Sequence, residues 1–269
     1  MAGVSSGKVV IFGAGGPVGA ATMTALKDHY TLRCTDATAL DRIVSEERRQ
    51  SAKAPLPELL EAPHERTVVD VTDYDQVREA CDGMDGAINL TVLRGELDKA
   101  FAVNTVGAYN VAKAAADAGV RRLIHTGPFH ARMAHHADHW QDHQVPDDVP
   151  LHPGDDLYAL SKYLGGQITR VFAEASDLDV LTYLFCGFRP GEVQPAERGR
   201  GAGPFTVSWE DSGRSFLYGL RAGDMPQPYE VFFIAADTPD RKYPVDKARR
   251  LLGWEAEDTF EELFRHPGH

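Results

Sequence analysis

The sequence predicts an α/β chain built on a doubly wound parallel sheet, with a small C-terminal lobe. Three observations lead there. Short apolar runs of strand length alternate with helix-forming stretches along most of the chain. The first of these runs ends in a glycine-rich turn that opens directly into a helix. Near the middle, in Leu157-Tyr158-Ala159-Leu160-Ser161-Lys162, a Tyr and a Lys stand four residues apart, which puts both on one helix face.

The first strand is Lys8-Val9-Val10-Ile11-Phe12, followed by Gly13-Ala14-Gly15-Gly16-Pro17-Val18-Gly19 and a helix over about residues 20–27. Gly13, Gly16 and Gly19 recur every third position. That spacing allows a tight turn, close approach of backbone to a pyrophosphate at the helix N-terminus, and close packing of helix on strand. It is the Rossmann arrangement for a dinucleotide. A second strand, residues 30–35, ends at Asp36, about 20 positions beyond the glycines. A carboxylate there accepts hydrogen bonds from adenosine ribose hydroxyls and repels a 2′-phosphate.

A charged helix is expected over 40–50, and Pro55, Pro57 and Pro63 break up the stretch after it. Residues 67–69 read as a third strand leading into Asp70-Val71, with Asp73 as the N-cap of the next helix. Residues 86–90 form a fourth strand. A long helix over 96–118 ends at Gly119 and carries Asn104 among apolar neighbours, where a buried amide needs partners. The fifth strand is 121–126.

Between that strand and the Tyr158 helix lies a loop of about 30 residues, long enough to suggest function. From His125 to the end of this loop the chain carries seven of its eleven histidines. His135, His139 and His143 share a helix face if helical, but no carboxylate or cysteine falls at matching spacing, so no metal is expected. A sixth strand covers 180–185. The tail adds a strand near 205–207, a helix over about 210–221, a strand at 230–234 and a helix at 245–252. The expected division is a nucleotide-binding domain over 1–186 and a substrate lobe over 187–269, interleaved rather than independent. Arg189 and Arg214 flank strand and helix ends and are candidates to pair with an anionic substrate.

Composition bounds the partners. With a net charge of −12, the chain lacks the Lys/Arg excess that nucleic acid or an anionic membrane rewards. No apolar run reaches a membrane span, and residues 1–8 lack a secretory signal, so a cytoplasmic setting is expected. Cys34, Cys81 and Cys186 show neither a disulfide framework nor a metal spacing. In the Tyr158–Lys162 pair, a cation beside a phenol favours the phenolate, making an acid/base for a hydroxyl that becomes a carbonyl.

With these residues in register, the chain resembles the short-chain dehydrogenase/reductase superfamily. It is most similar to the extended branch of NAD-dependent epimerases and dehydratases, and within it to uronate dehydrogenases. The segment Asp246-Lys247-Ala248-Arg249-Arg250-Leu251-Leu252-Gly253-Trp254 is similar to that branch's closing signature. The resemblance implies NAD as cofactor, Tyr158 as acid/base, and Lys162 as the residue that binds the nicotinamide ribose and lowers the Tyr pKa. It places Gly13, Gly16, Pro17, Val18 and Gly19 at the pyrophosphate, Asp36 at the adenosine ribose, and Asp70 and Val71 at the adenine. Leu90 and Thr91 would pass under the cofactor, with Asn104 behind them. The family's Ser or Thr just past strand five falls at Gly127-Pro128, which have no hydroxyl. Thr126, slightly earlier, and His130, slightly later, are the candidates to replace it. A homodimer through the helices at 96–118 and 157–175 is also implied. The leading reading is a dehydrogenase acting on a hydroxyl or lactol carbon of a sugar-like small molecule. An epimerase or dehydratase with tightly held NAD, and a non-catalytic NAD(H) sensor or scaffold, remain beside it.

Overall fold

The alternation inside the strands decides the layers. In β1 (Lys8–Phe12), Val9 and Ile11 enter one core while Val10 and Phe12 enter the other, and all four are fully buried. The computed structural model describes residues 3–49, 51–129, 145–146, 152–203, 205–239 and 241–265. Further strands are β2 (Thr31–Asp36), β3 (Glu65–Val68), β4 (Gly86–Asn89), β5 (Arg122–Pro128), β6 (Asp179–Phe185), β7 (Gly187–Arg189), β8 (Thr206–Ser208) and β9 (Tyr229–Phe233). Seven of them form one sheet in the order β3-β2-β1-β4-β5-β6-β9, with every pair parallel. The order reverses between β1 and β4. Ligands of such sheets sit outside the carboxyl ends of the strands at that reversal.

The helices are α1 (Pro17–Leu26), α2 (Leu40–Ser45), α3 (Tyr74–Cys81), α4 (Leu97–Phe101), α5 (Gly107–Asp117), α6 (Leu157–Ala175), α7 (Trp209–Arg221) and α8 (Asp246–Leu252). On one face of the sheet, α1 and α7 pack together over Ile11, Ile88, Ile124, Leu181 and Phe232. On the other, α3, α5 and α6 cover Val10, Phe12, Ala87, Leu123 and Val180. None of the described helices is long and apolar enough to cross a membrane.

Residues beyond 186 return to the same sheet. β9 is its outer strand beside β6, and β7 and β8 make a separate two-stranded sheet. Arg122, 1% exposed, ties this part to the start of β5. Its guanidinium donates to the carbonyls of Gly219, Ala222 and Gly223 at 2.9, 2.6 and 2.9 Å and to Asp179 at 3.1 Å. Gly253, at φ 70°, ends α8 and turns fully buried Trp254 into the core.

Three elements differ from expectation. The helix predicted over 40–50 stops at Ser45, and Glu47 takes a left-handed conformation with φ 46°. β5 does not end at Thr126. It runs through Pro128, because Thr126, Gly127 and Pro128 keep pairing with Tyr183, Leu184 and Phe185 of β6. The helix over 96–118 is one rod interrupted by a π turn at Ala102–Val106, between α4 and α5. Such turns are rare and cluster at functional sites; this one contains Asn104.

Candidate active site

The glycine turn is built from the backbone outward. Gly13 and Ala14 both donate their amides to the Thr35 carbonyl at 2.9 Å, which pins the end of β1 to β2. Gly13 has φ +85°, a conformation costly for any residue with a side chain. Gly16 caps α1 in an extended conformation and Pro17 opens the helix, where its missing amide costs nothing. A Cβ on Gly19 would lie 2.5 Å from the Gly13 carbonyl oxygen. A Cβ on Gly16 would meet nothing nearer than 3.6 Å, so the protein itself does not demand glycine there. The space beside it is open.

Gly16 borders a cavity of about 320 Å³ at the sheet reversal, lined also by Gly13, Asp36, Asp70, Val71, Leu90 and Thr91. Asp36 accepts from the Gly15 amide at 3.0 Å and the Thr38 amide at 3.1 Å. Burial raises its pKa, and these backbone donors work against the rise. Each oxygen accepts one such bond and keeps a lone pair for a ribose hydroxyl. The open Gly16 wall and the spare acceptor capacity of Asp36 fit the NAD implied by the resemblance. Asp70 holds Thr72 through Oδ1, and the Val71 carbonyl accepts from Asn110 at 2.9 Å, so both are fixed at the cavity edge. Pro17 and Gly19 are buried within α1, while Val18 faces a second cavity.

That second cavity, about 80 Å³, lies against α6 and is bordered by Tyr158, Lys162, Thr126, Gly127, Pro128 and Arg94, with apolar walls from Val18, Phe185 and Phe188. Leu90 and Val92 border both cavities, so the two meet across the segment after β4. Asp156 caps α6 by accepting from the Tyr158 amide at 2.9 Å. Tyr158 and Lys162 then share one helix face as expected. Lys162 is buried and donates to the Thr91 carbonyl at 3.1 Å. Burial, with a smaller push from Arg94, lowers its pKa to about 7.

A second cation, beside Lys162, borders the phenol. Arg94 lies over the Tyr158 ring, its guanidinium carbon 5.1 Å from the ring centroid. Burial raises the Tyr158 pKa, and the charge and hydrogen bonding of Arg94 pull it back. The sequence does not disclose Arg94, because nothing in the spacing of a loop residue after β4 points at α6. Gly15 is a second addition to the site: it stands inside the glycine run, and its amide meets Asp36.

Other candidates are placed differently from expectation. The Asn104 amide is consumed by protein: Oδ1 accepts from Leu93 N at 3.3 Å, and Nδ2 donates to Leu93 O and Ser161 Oγ, both at 3.0 Å. It clamps the loop that carries Arg94 instead of reaching toward a cofactor. Thr126 borders the Tyr158 cavity, but its hydroxyl proton goes to the Asn89 carbonyl at 2.9 Å, leaving only acceptor capacity. Arg189 pairs with Glu197 at 2.9 Å and stacks on Phe260. Arg214 is bound by Asp211, Glu257 and the Glu255 carbonyl and joins α7 to the segment after α8. Neither arginine lines the cavity, because nearby carboxylates hold both. His130, His135, His139 and His143 lie outside the described residues. Among the described residues, no cluster of His, Cys, Asp and Glu could hold a metal ion.

Known proteins share this architecture. Over an alignment of 273 positions the chain is 28% identical to the NAD-dependent glucose-6-phosphate dehydrogenase of Haloferax volcanii, covering 95% of each protein. Glucuronic acid dehydrogenase from Chromohalobacter salexigens has the same fold, with a TM-score of 0.72 at 21% identity over 98% of this chain and 90% of that one. So does UDP-glucose 4-epimerase from Thermotoga maritima, with a TM-score of 0.69 at 15% identity over 96% and 97%. The NAD dependent epimerase/dehydratase family matches residues 9–190, a span from β1 past β7 that takes in the glycine turn, Asp36 and the Tyr158–Lys162 face. The chain therefore belongs to that family, and is an NAD-dependent enzyme of the short-chain dehydrogenase/reductase superfamily.

Proposed function

We propose that the protein is an NAD-dependent dehydrogenase that oxidises a hydroxyl or lactol carbon of a sugar. One observation carries this reading: the Tyr158–Lys162 face borders a cavity that meets the glycine-turn cavity across Leu90 and Val92. NAD, when bound, supplies the hydride acceptor. The chain's own residues do the rest. Gly13, Gly16 and the α1 N-terminus hold the phosphates, and Asp36 holds the adenosine ribose. Tyr158 takes the hydroxyl proton as the carbon gives up its hydride, and Lys162 orients the nicotinamide ribose from its anchor on the Thr91 carbonyl. Val18, Phe185 and Phe188 exclude water from the proton transfer. A sugar as substrate is supported by the 28% identical relative, a dehydrogenase of glucose 6-phosphate, which also favours net oxidation over epimerisation.

The test is reduced-nicotinamide formation with NAD across a panel of aldoses, uronic acids and sugar phosphates, with Tyr158→Phe alongside. The expected result is turnover that falls at least about a thousandfold in the variant while NAD affinity is retained. Tight NAD binding with no turnover of any sugar would sink the dehydrogenase reading.

We also infer a homodimer. The apolar side chains of Phe101, Val106, Tyr109, Leu164, Ile168 and Val171 surround an open groove of about 520 Å³ between the π-turn rod and α6. Val171 is 62% exposed and nearby Leu97 59%. A patch of this kind on a surface helix pair calls for a covering partner, and a second copy offers the same two helices with two-fold symmetry.

A further inference from the structure

The chain carries 40 acidic against 28 basic residues, yet the cavity at Tyr158 reverses that balance. Its described lining includes the basic side chains Arg94 and Lys162 and no Asp or Glu. The Lys162 ammonium is buried and committed to the Thr91 carbonyl. Arg94 is not committed. Among the described residues no carboxylate comes within ion-pair distance of it, and its contact is the Tyr158 ring. Arg189 and Arg214, by contrast, are both neutralised by carboxylates.

The position of Arg94 is also enforced. Asn104 grips its neighbour Leu93 by both amide and carbonyl, and the same side chain holds Ser161 on α6. One buried amide thus fixes the Arg94 loop to the helix that bears Tyr158. Asn104 satisfies every donor and acceptor of that clamp inside the protein, at the entropic cost of ordering a loop. An arginine held over a catalytic phenol, with no counter-ion among the described residues, is a site for a planar or tetrahedral oxyanion, which its fork of donors can engage through two bonds at once.

We propose that Arg94 selects the substrate by binding an oxyanion group, a carboxylate or a phosphate, carried by the sugar whose hydroxyl meets Tyr158. This rests on the reading of Tyr158 as the reacting centre. Asn104 is a positioning residue for it, acting through the Leu93 backbone. The guanidinium keeps one face on the phenol and turns its free donors to the anion, so charge on the sugar and proton transfer at its hydroxyl are read by adjacent groups.

The test is calorimetric titration of glucose, glucuronate and glucose 6-phosphate into NADH-saturated protein, as wild type, Arg94→Met and Arg94→Lys. Turnover of the same sugars with NAD is measured separately. At least one acid is expected to bind wild type tenfold or more tightly than glucose, and whichever acid does so identifies the oxyanion as carboxylate or phosphate. Arg94→Met abolishes the difference without changing NADH affinity, and Arg94→Lys recovers part of it. The proposal is overturned if the acids bind wild type no more tightly than glucose, if Arg94→Met keeps the preference, or if its loss is in NADH affinity. Charge-selective binding without turnover would sink the dehydrogenase reading and leave Arg94 assigned. Turnover without charge selectivity would do the opposite.

Discussion

The guanidinium carbon of Arg94 lies 5.1 Å from the centre of the Tyr158 ring, in contact with the residue that the site needs as its base. Burial drives the phenol toward its neutral form, and Arg94 opposes that by stabilising the phenolate. The base form is the one that accepts a proton from an alcohol, so oxidation gains with pH as the phenol ionises. Arg94→Met removes the stabilisation, and the rising limb of kcat/KM for a neutral sugar should move to higher pH by about one unit. Arg94→Lys keeps the charge and should hold most of the wild-type position. A limb unmoved in Arg94→Met would show that Arg94 has no hold on the phenol.

The two ends of the glycine turn respond to different demands, and substitution separates them. A Cβ on Gly19 falls 2.5 Å from the Gly13 carbonyl oxygen and 2.6 Å from that of Ala14, both backbone atoms that cannot swing aside. Gly19→Ala should therefore lose about 1–3 kcal/mol of stability, read as a lower melting temperature. Gly16→Ala meets no protein atom within 3.5 Å and has an ordinary φ of −76°, so it should melt with wild type. Its Cβ instead borders the nucleotide cavity, and NAD affinity should fall tenfold or more. Equal melting losses in the two variants would contradict this division.

The features that the sequence disclosed were those set by local periodicity. Helix α6 appears where Tyr158 and Lys162 required it, capped by Asp156, and the glycine run opens α1. Arg94 and Asn104 were different. Arg94 belongs to a loop with no period, and it reaches Tyr158, 64 positions later, only because a π turn and an amide clamp fold the loop onto α6. Arg214 looked available because its counter-ions are dispersed in sequence; Glu257 lies 43 residues away. The place of Tyr229–Phe233 in the main sheet was equally hidden, since a short apolar run does not say which strand it will join.

The proposed dimer rests on the groove between the π-turn rod and α6, and Val171 is its most exposed large apolar residue. Val171→Glu places a charge where two copies of α6 would meet, and desolvating it there is unfavourable. Light scattering should give twice the chain mass for wild type and one chain mass for the variant. The variant should melt within about 0.5 kcal/mol of the wild-type monomer, because the site is exposed in each subunit. A monomeric wild type would remove the second copy as the occupant of this face.

Lys162 is expected to cost the fold stability, and the pH dependence gives the sign. Its pKa is about 7 in the native protein against 10.5 for a free lysine. Between those values the unfolded chain binds a proton that the native protein has released, so stability rises with pH across that window. Below about 7 both states are protonated and the full penalty of burying the charge is present, on the order of a few kcal/mol after its bond to Thr91 is counted. Lys162→Met fills the same space without the charge. In cofactor-free protein it should melt higher than wild type near neutrality and below, with the gap closing as the pH approaches that of free lysine. Tight NAD binding would be lost in the same variant, separating what this residue does for the fold from what it does for the site. A gap that stays constant with pH would mean that the Lys162 pKa is not lowered in the native protein.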